Sequence, residues 1–319
     1  MHDTAPAPVR ALVTTAPYAP WPVTDDPAAW SLTRTTVPTA VGPVVVHHRP
    51  GPDPVLLLHG VAGSWTTWTP LLRAADGVGG RGLVLVDLPG WGASPAPTTP
   101  FTVDDGARVL VTVLDALRLP AVDVVGHSMG AFVGLHLAVV APARVRSLGL
   151  VSGTTTATAW AARHPWRALW TLPAFTLLRA GLLVTGHAAH GLLRGIARAR
   201  SLPLVAAPVF EHVRRLDPSV LDAFVEEFRP ALFTAAARAA AAYDVERWRS
   251  VHCPVAAVVG RDDVFARTSD LDDLRRLLPG VRTAVLADCG HFAHVEHPGA
   301  VAAFLGLDDH RARSGTGPG

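Results

Sequence analysis

Residues 122–130 read Val122-Asp123-Val124-Val125-Gly126-His127-Ser128-Met129-Gly130, and an uncharged run, Ala131 to Val140, follows them. The first four residues form a short, largely apolar stretch of the kind that makes a buried strand, and the run after Gly130 has helical length and composition. Between them Ser128 falls on a tight strand-to-helix turn. Such a turn forces its central residue into a strained backbone conformation, and only very small flanking residues let strand and helix approach closely enough. The Ser128 hydroxyl is thereby exposed, and the first amides of the following helix point toward it, where they can stabilise negative charge. The five-residue pattern alone is common in surface turns. With a strand before it and a helix after it, Ser128 reads as a nucleophile.

A serine hydroxyl is a weak nucleophile at neutral pH, so it requires a general base and a third group that fixes the base's tautomer. Fifteen His are available. His291, in Ala287-Asp288-Cys289-Gly290-His291-Phe292, comes just after the last strand-like run, where a loop emerges at the same sheet edge as Ser128. His294 and His297 follow closely and read as packing or solvent-facing positions on the next helix. The acid lies in Val259-Gly260-Arg261-Asp262-Asp263, again beyond a strand. Neighbouring side chains in an extended segment point oppositely, so only one of the two Asp can orient His291. A fourth stretch, Leu56-Leu57-Leu58-His59-Gly60-Val61-Ala62-Gly63-Ser64, runs a strand into a Gly-containing loop that can present a backbone N–H to a carbonyl oxygen. With the Met129 amide it would form an oxyanion hole, His59 bracing the loop.

Working outward, short apolar runs bounded by Gly, Pro or Asp recur at residues 44–47, 55–58, 83–86, 122–125, 147–151, 255–259 and 283–286. Val103, Ala107, Leu110, Leu114 and Leu117 recur at helical spacing. The alternation predicts an α/β protein, a mostly parallel central sheet flanked by helices. The strand rhythm stops after Val151 and resumes at Val255. The intervening segment, broken by Pro165, Pro173, Pro203, Pro208, Pro218 and Pro230, reads as an inserted all-helical cap. Its apolar content, including Trp160, Trp166, Trp170, Phe175 and Leu177, predicts an underside facing a pocket, although for any single one of them packing of the cap helices together and onto the core is the preferred reading. The expected organisation is a Pro-rich arm over 1–29, a core over 30–153 and 244–308, the cap over 154–243 and a loose tail over 309–319.

Of the 319 residues 49% are hydrophobic and 17% charged, which excludes a disordered chain. All 28 basic side chains are Arg, since the sequence has no Lys, and they nearly balance 26 acidic ones. No run of like charges tracks a phosphate backbone, so nucleic acid is not an expected partner. The two cysteines, Cys253 and Cys289, fit neither a disulfide framework nor a zinc motif, and Cys289 reads as a small core residue. A reducing, cytoplasmic setting is the expectation, and the N-terminal stretch, interrupted by Pro, does not read as an export signal. The longest uncharged stretch in the greasy middle, Ala180 to Leu193, is shorter than the ~20 residues of a membrane span. Gly77-Val78-Gly79-Gly80-Arg81-Gly82 matches a dinucleotide fingerprint by letter but precedes a strand rather than following one, so it reads as a surface loop.

Taken together, His59-Gly60, Asp87-Leu88-Pro89-Gly90-Trp91-Gly92, Gly126-His127-Ser128-Met129-Gly130, Gly260-Arg261-Asp262-Asp263 and Gly290-His291-Phe292 make the sequence resemble the α/β-hydrolase fold superfamily from about Trp30 to Leu307. The resemblance implies a Ser128–His291–Asp263 triad, with Asp263 rather than Asp262 as the acid. It also implies Val61 and Met129 as the oxyanion amides, and no metal or organic cofactor. It excludes members whose elbow nucleophile is Asp. The expected substrate is a small apolar ester-like molecule, cleaved through an acyl-Ser128 intermediate. Carbon–carbon bond hydrolysis is the second reading, although His127 and Phe292 stand where the resemblance would lead one to expect Asn and Trp. Lactone, thioester and cofactor-free perhydrolase chemistry fit the same residues, and a ligand-binding receptor with vestigial hydrolysis is the rival of another class.

Overall fold

A computed structural model of the protein describes residues 10–12, 16–99, 101–186, 188–198 and 206–308. Among the described residues nine strands form one sheet: β1 (Arg10–Leu12), β2 (Thr33–Thr39), β3 (Gly42–Arg49), β4 (Val55–Leu58), β5 (Leu83–Val86), β6 (Val122–His127), β7 (Val145–Val151), β8 (Val255–Gly260) and β9 (Arg282–Leu286). Their order is β1-β9-β8-β7-β6-β4-β5-β3-β2. Among the described residues only the pairings of β2 with β3 and β3 with β5 are antiparallel. Alternate residues of the central strands feed two cores. Leu56, Leu58, Val84 and Val86 pack on one face, with α2 (Val103–Ala116) and α3 (Met129–Val140). Val55, Leu57, Leu83 and Leu85 pack on the other, with α1 (Thr69–Ala74) and the helix Pro298–Leu305.

Two strands lie outside the runs read from sequence. β2, Thr-rich and containing Pro38, is an edge strand paired to β3 and lacks a buried apolar run. β1 lies inside the stretch expected to be a patternless arm and pairs in parallel with β9, three residues being too few to show a period. Behind it Tyr18 is buried and donates its hydroxyl to Glu296 at 2.6 Å. Residues 309–319 lie outside the described residues.

Between β7 and β8 the chain is helical: Thr156–Arg163, Pro165–Thr171, Pro173–Thr185, Ala188–Arg198, Pro218–Glu227 and Pro230–Ala242. Pro165, Pro173, Pro218 and Pro230 each start a helix, where the missing N–H is no loss. Pro203 lies outside the described residues. Among the described residues no helix is long and apolar enough to cross a membrane.

The parallel register aligns the carboxyl ends of the central strands. Leu58 pairs with Gly126, His127 with Val151, Val151 with Val258, and Gly260 with Leu286. The loops carrying His59, Ser128, Asp263 and His291 therefore leave the sheet at one edge, beyond the strand ends where open α/β sheets bind ligands.

Candidate active site

Ser128 joins β6 to α3 with φ 52° and ψ −117°, a conformation that costs a non-glycine residue ~1–3 kcal/mol. The small neighbours make the turn possible. A Cβ on Gly126 would lie 2.5 Å from the Ala131 nitrogen, and one on Gly130 only 2.1 Å from the Leu58 carbonyl oxygen. Any side chain at Gly130 would push α3 off β4.

The Ser128 hydroxyl lies 2.9 Å from His291 Nε2, and His291 Nδ1 lies 2.9 Å from both Asp263 carboxylate oxygens. A carboxylate only accepts, so Nδ1 carries the proton and Nε2 is left as the acceptor for the serine proton. Asp263 Oδ1 also accepts from the amides of Phe265 (2.8 Å) and Ala266 (2.9 Å), which hold the carboxylate in place. All three residues are buried. Asp262 is exposed, its amide bound to the Cys289 carbonyl at 3.0 Å. Of the two adjacent carboxylates only Asp263 meets His291.

Val61 and Met129 line the same cavity as Ser128 and His291. Met129 opens α3, so its N–H has no acceptor within the helix. His59 is fully buried, takes the Leu88 N–H on Nε2 (3.0 Å) and donates Nδ1–H to the Gly60 carbonyl (2.8 Å). It thus ties the loop after β4 to the loop after β5, and burial lowers its pKa to about 4, keeping it neutral. Cys289 is fully buried, and burial raises its thiol pKa well above the usual range.

Three supports of His291 escaped the sequence reading. Its N–H donates to the Val209 carbonyl (2.8 Å), and its carbonyl accepts from His127 Nε2 (2.9 Å). The third is Glu296, fully buried, which accepts from the amides of Gly290 (3.0 Å) and Phe292 (3.1 Å), from Glu211 N–H (3.0 Å) and from the Tyr18 hydroxyl. An acidic residue directly after Phe292–Val295, in a stretch with no other acid, was the available signal. Burial raises the Glu296 pKa, and these four donors offset part of the rise. His294 and His297 are both buried; His294 packs against Trp68 and His127, and His297 Nε2 donates to the Asp288 carbonyl at 2.8 Å.

The cavity above Ser128 measures about 270 Å³. Its walls combine Trp91, Phe101 and Phe132 of the core with Phe175, Phe233 and Ala237 of the helical insertion, and neither Arg, Asp nor Glu lines it. Phe175 thus faces the pocket. Trp166, Trp170 and Leu177 do not: they are 83%, 89% and 60% exposed, while Trp160 is 38% exposed. Their helices carry apolar residues on two sides, and composition alone cannot tell which side turns inward. Among the described residues no group of three or more His, Cys, Asp or Glu side chains could hold a metal ion.

The α/β hydrolase fold family model matches residues 53–298. The chain belongs to that family and is a hydrolase. It is 30% identical over 262 residues to "Putative carbamate hydrolase RutD" of Variovorax paradoxus (strain S110), covering 81% of this chain and 91% of that one. It is 29% identical over 272 residues to a 2-hydroxy-6-oxononadienedioate/2-hydroxy-6-oxononatrienedioate hydrolase of Cupriavidus pinatubonensis (strain JMP 134 / LMG 1197), covering 80% and 88%. Among solved structures, an esterase from Exiguobacterium antarcticum superposes with a TM-score of 0.66 at 18% identity, over 82% of this chain and 94% of that one, a likeness of fold.

Proposed function

We propose that the protein is a serine hydrolase that cleaves a carboxylic ester, or a similar acyl bond, of an uncharged apolar small molecule. The observation that carries this reading is the hydrogen-bonded chain Ser128–His291–Asp263 opening into an apolar cavity. Ser128 Oγ attacks the acyl carbon as His291 Nε2 takes its proton. The oxyanion is held by the amides of Met129 and Val61, each such donor typically worth ~10²–10³ in turnover. His291 passes its proton to the leaving alkoxide, worth ~10²–10⁴, and an acyl-Ser128 ester remains. Water then attacks, His291 takes its proton and returns it to Ser128, and the acid leaves. Asp263 stabilises the imidazolium throughout. In this reading the helices between β7 and β8 act as the cap over residues 154–243 and contribute the acyl-chain wall.

One of the two relatives, the 2-hydroxy-6-oxononadienedioate hydrolase, favours a second reading, carbon–carbon bond hydrolysis on the same triad. The substrate in that relative's name is a dioate, which carries two carboxylates. No Arg lines the cavity here, so a dianion would be buried without a counter-charge, at a cost of several kcal/mol per ion. An uncharged acyl group fits the walls better.

The test pairs fluorophosphonate labelling and peptide mapping with hydrolysis of p-nitrophenyl esters by the wild type and Ser128→Ala. Labelling of Ser128 with turnover lost in the variant is expected. Labelling elsewhere, or tight stoichiometric binding without turnover, overturns the proposal.

A further inference from the structure

Large hydrophobic side chains are exposed almost entirely in one part of the molecule. Trp160, Trp166, Trp170, Leu177, Leu183, Val184 and Leu192 all belong to the insertion, and Val140 alone among the described residues belongs to the core. Six of the insertion's seven lie on three consecutive helices, Pro165–Thr171, Pro173–Thr185 and Ala188–Arg198, each packed against the next. Trp166 and Trp170 are one turn apart, as two turns separate Leu177 from Val184, so each pair shares a helix face. On the opposite side of the second helix Phe175 and Leu178 line the cavity. One helix thus has one apolar side toward the site and another toward solvent.

Charge indicates what covers the outer side. From Thr154 to Phe210 the sequence contains six Arg and neither Asp nor Glu. Arg167 and Arg194 are exposed beside the Trp and Leu residues, and Arg163 and Arg179 add charge while binding main-chain carbonyls. Asp222 and Glu226, on the helix Pro218–Glu227 that packs on Ala188–Arg198, line a separate polar cleft with Asp25 and Asp87. A second copy of this face would bring like charges together, and no carboxylate of the segment would offset them. Protruding Trp and Leu among Arg, without acids, is the composition that buries in the interfacial layer of an anionic bilayer.

We propose that the helical face formed by Trp166, Trp170, Leu177, Val184 and Leu192 docks on an anionic lipid surface, with Arg167 and Arg194 meeting the headgroups. Docking sets the outer side of the cavity's own helical wall against the bilayer. It is independent of the bond that Ser128 attacks.

The test is cosedimentation with phosphatidylcholine vesicles with and without phosphatidylglycerol, at low and high salt, following tryptophan emission. Binding to the anionic vesicles with a blue shift, weakened by salt, is expected. Trp166→Ala/Trp170→Ala lowers the partition coefficient roughly tenfold or more, and Arg167→Glu/Arg194→Glu removes the preference for phosphatidylglycerol. Both variants leave hydrolysis of a water-soluble ester unchanged, which separates this proposal from the reading of the site. Failure of the wild type to bind anionic vesicles overturns it, as does undiminished binding by both variants. A wild-type dimer that Trp166→Ala/Trp170→Ala converts to monomer overturns it in favour of self-association.

Discussion

Glu296 brackets His291 without touching its ring: its buried carboxylate holds the amides of Gly290 and Phe292 on either side of that residue. The same carboxylate joins Tyr18 and Glu211 to the loop, so one side chain fixes the segment that aims Nε2 at Ser128. Misplacement of a reacting group by about 1 Å can cost ~10²-fold in rate. Glu296→Gln, with one acceptor oxygen instead of two, should lower kcat roughly ten- to a hundredfold with KM little changed. Glu296→Ala leaves four donors without their acceptor and should cost roughly 3 kcal/mol or more of stability. Steady-state kinetics with thermal denaturation check both. An unchanged kcat in Glu296→Gln would reduce the residue to a packing role.

The two adjacent aspartates should separate cleanly. In Asp263 the oxygen Oδ1 is held by two amides, so in Asp263→Asn the carboxamide keeps its oxygen there and turns its NH2 toward His291 Nδ1. The ring then carries its proton on Nε2 and cannot take one from Ser128. Turnover should fall ~10⁴-fold with the fold intact. Asp262→Asn, at an exposed position, should stay within about twofold of wild type, exposed substitutions having little effect. Parallel assays on a p-nitrophenyl ester decide it, and equal losses would mean that the acid is misassigned.

What the sequence discloses and what it hides follow from the range of the interactions. Ser128 is legible because its turn is local: Gly126 and Gly130 are needed within two residues on either side. The central strands are legible because burial on both faces leaves unbroken apolar runs. Glu296 is not, because Tyr18 and Glu211, two of its four partners, are remote in sequence and meet it only in three dimensions. The choice between Asp262 and Asp263 likewise depends on the path of the loop after β8. Trp166 and Trp170 were misread for a related reason, since an apolar residue in a short helix announces a face without saying what lies opposite it.

Beside Leu232 and Phe233, the cavity wall contributed by Pro230–Ala242 is made of alanines, among them Ala235, Ala236 and Ala239. Small side chains there leave the space that an acyl chain would fill. Ala236→Phe should therefore shift chain-length preference, with kcat/KM for p-nitrophenyl octanoate falling roughly tenfold or more and that for the acetate held within about twofold. A profile across chain lengths measures the shift, and parallel losses on both esters would place the acyl chain elsewhere.

His294 is fully buried against Trp68 and His127, and neither of its ring nitrogens has a hydrogen-bond partner. Burial, followed by the neighbouring His291, lowers its pKa from 6.5 to about 3. Below pH 6.5 the unfolded chain protonates this ring while the folded protein does not, so the unfolded state binds more protons and stability falls as pH falls, down to about pH 3. At pH 5 this one residue costs ~2 kcal/mol relative to a side chain that does not titrate. His294→Phe keeps the aromatic packing and removes two orphaned nitrogens, so it should stabilise the protein at pH 7. Its advantage should then grow by that further ~2 kcal/mol at pH 5. Urea denaturation of both proteins at the two pH values checks the increment, and an advantage that stays constant between them would show that the ring is already charged, or already open to solvent, in the folded state.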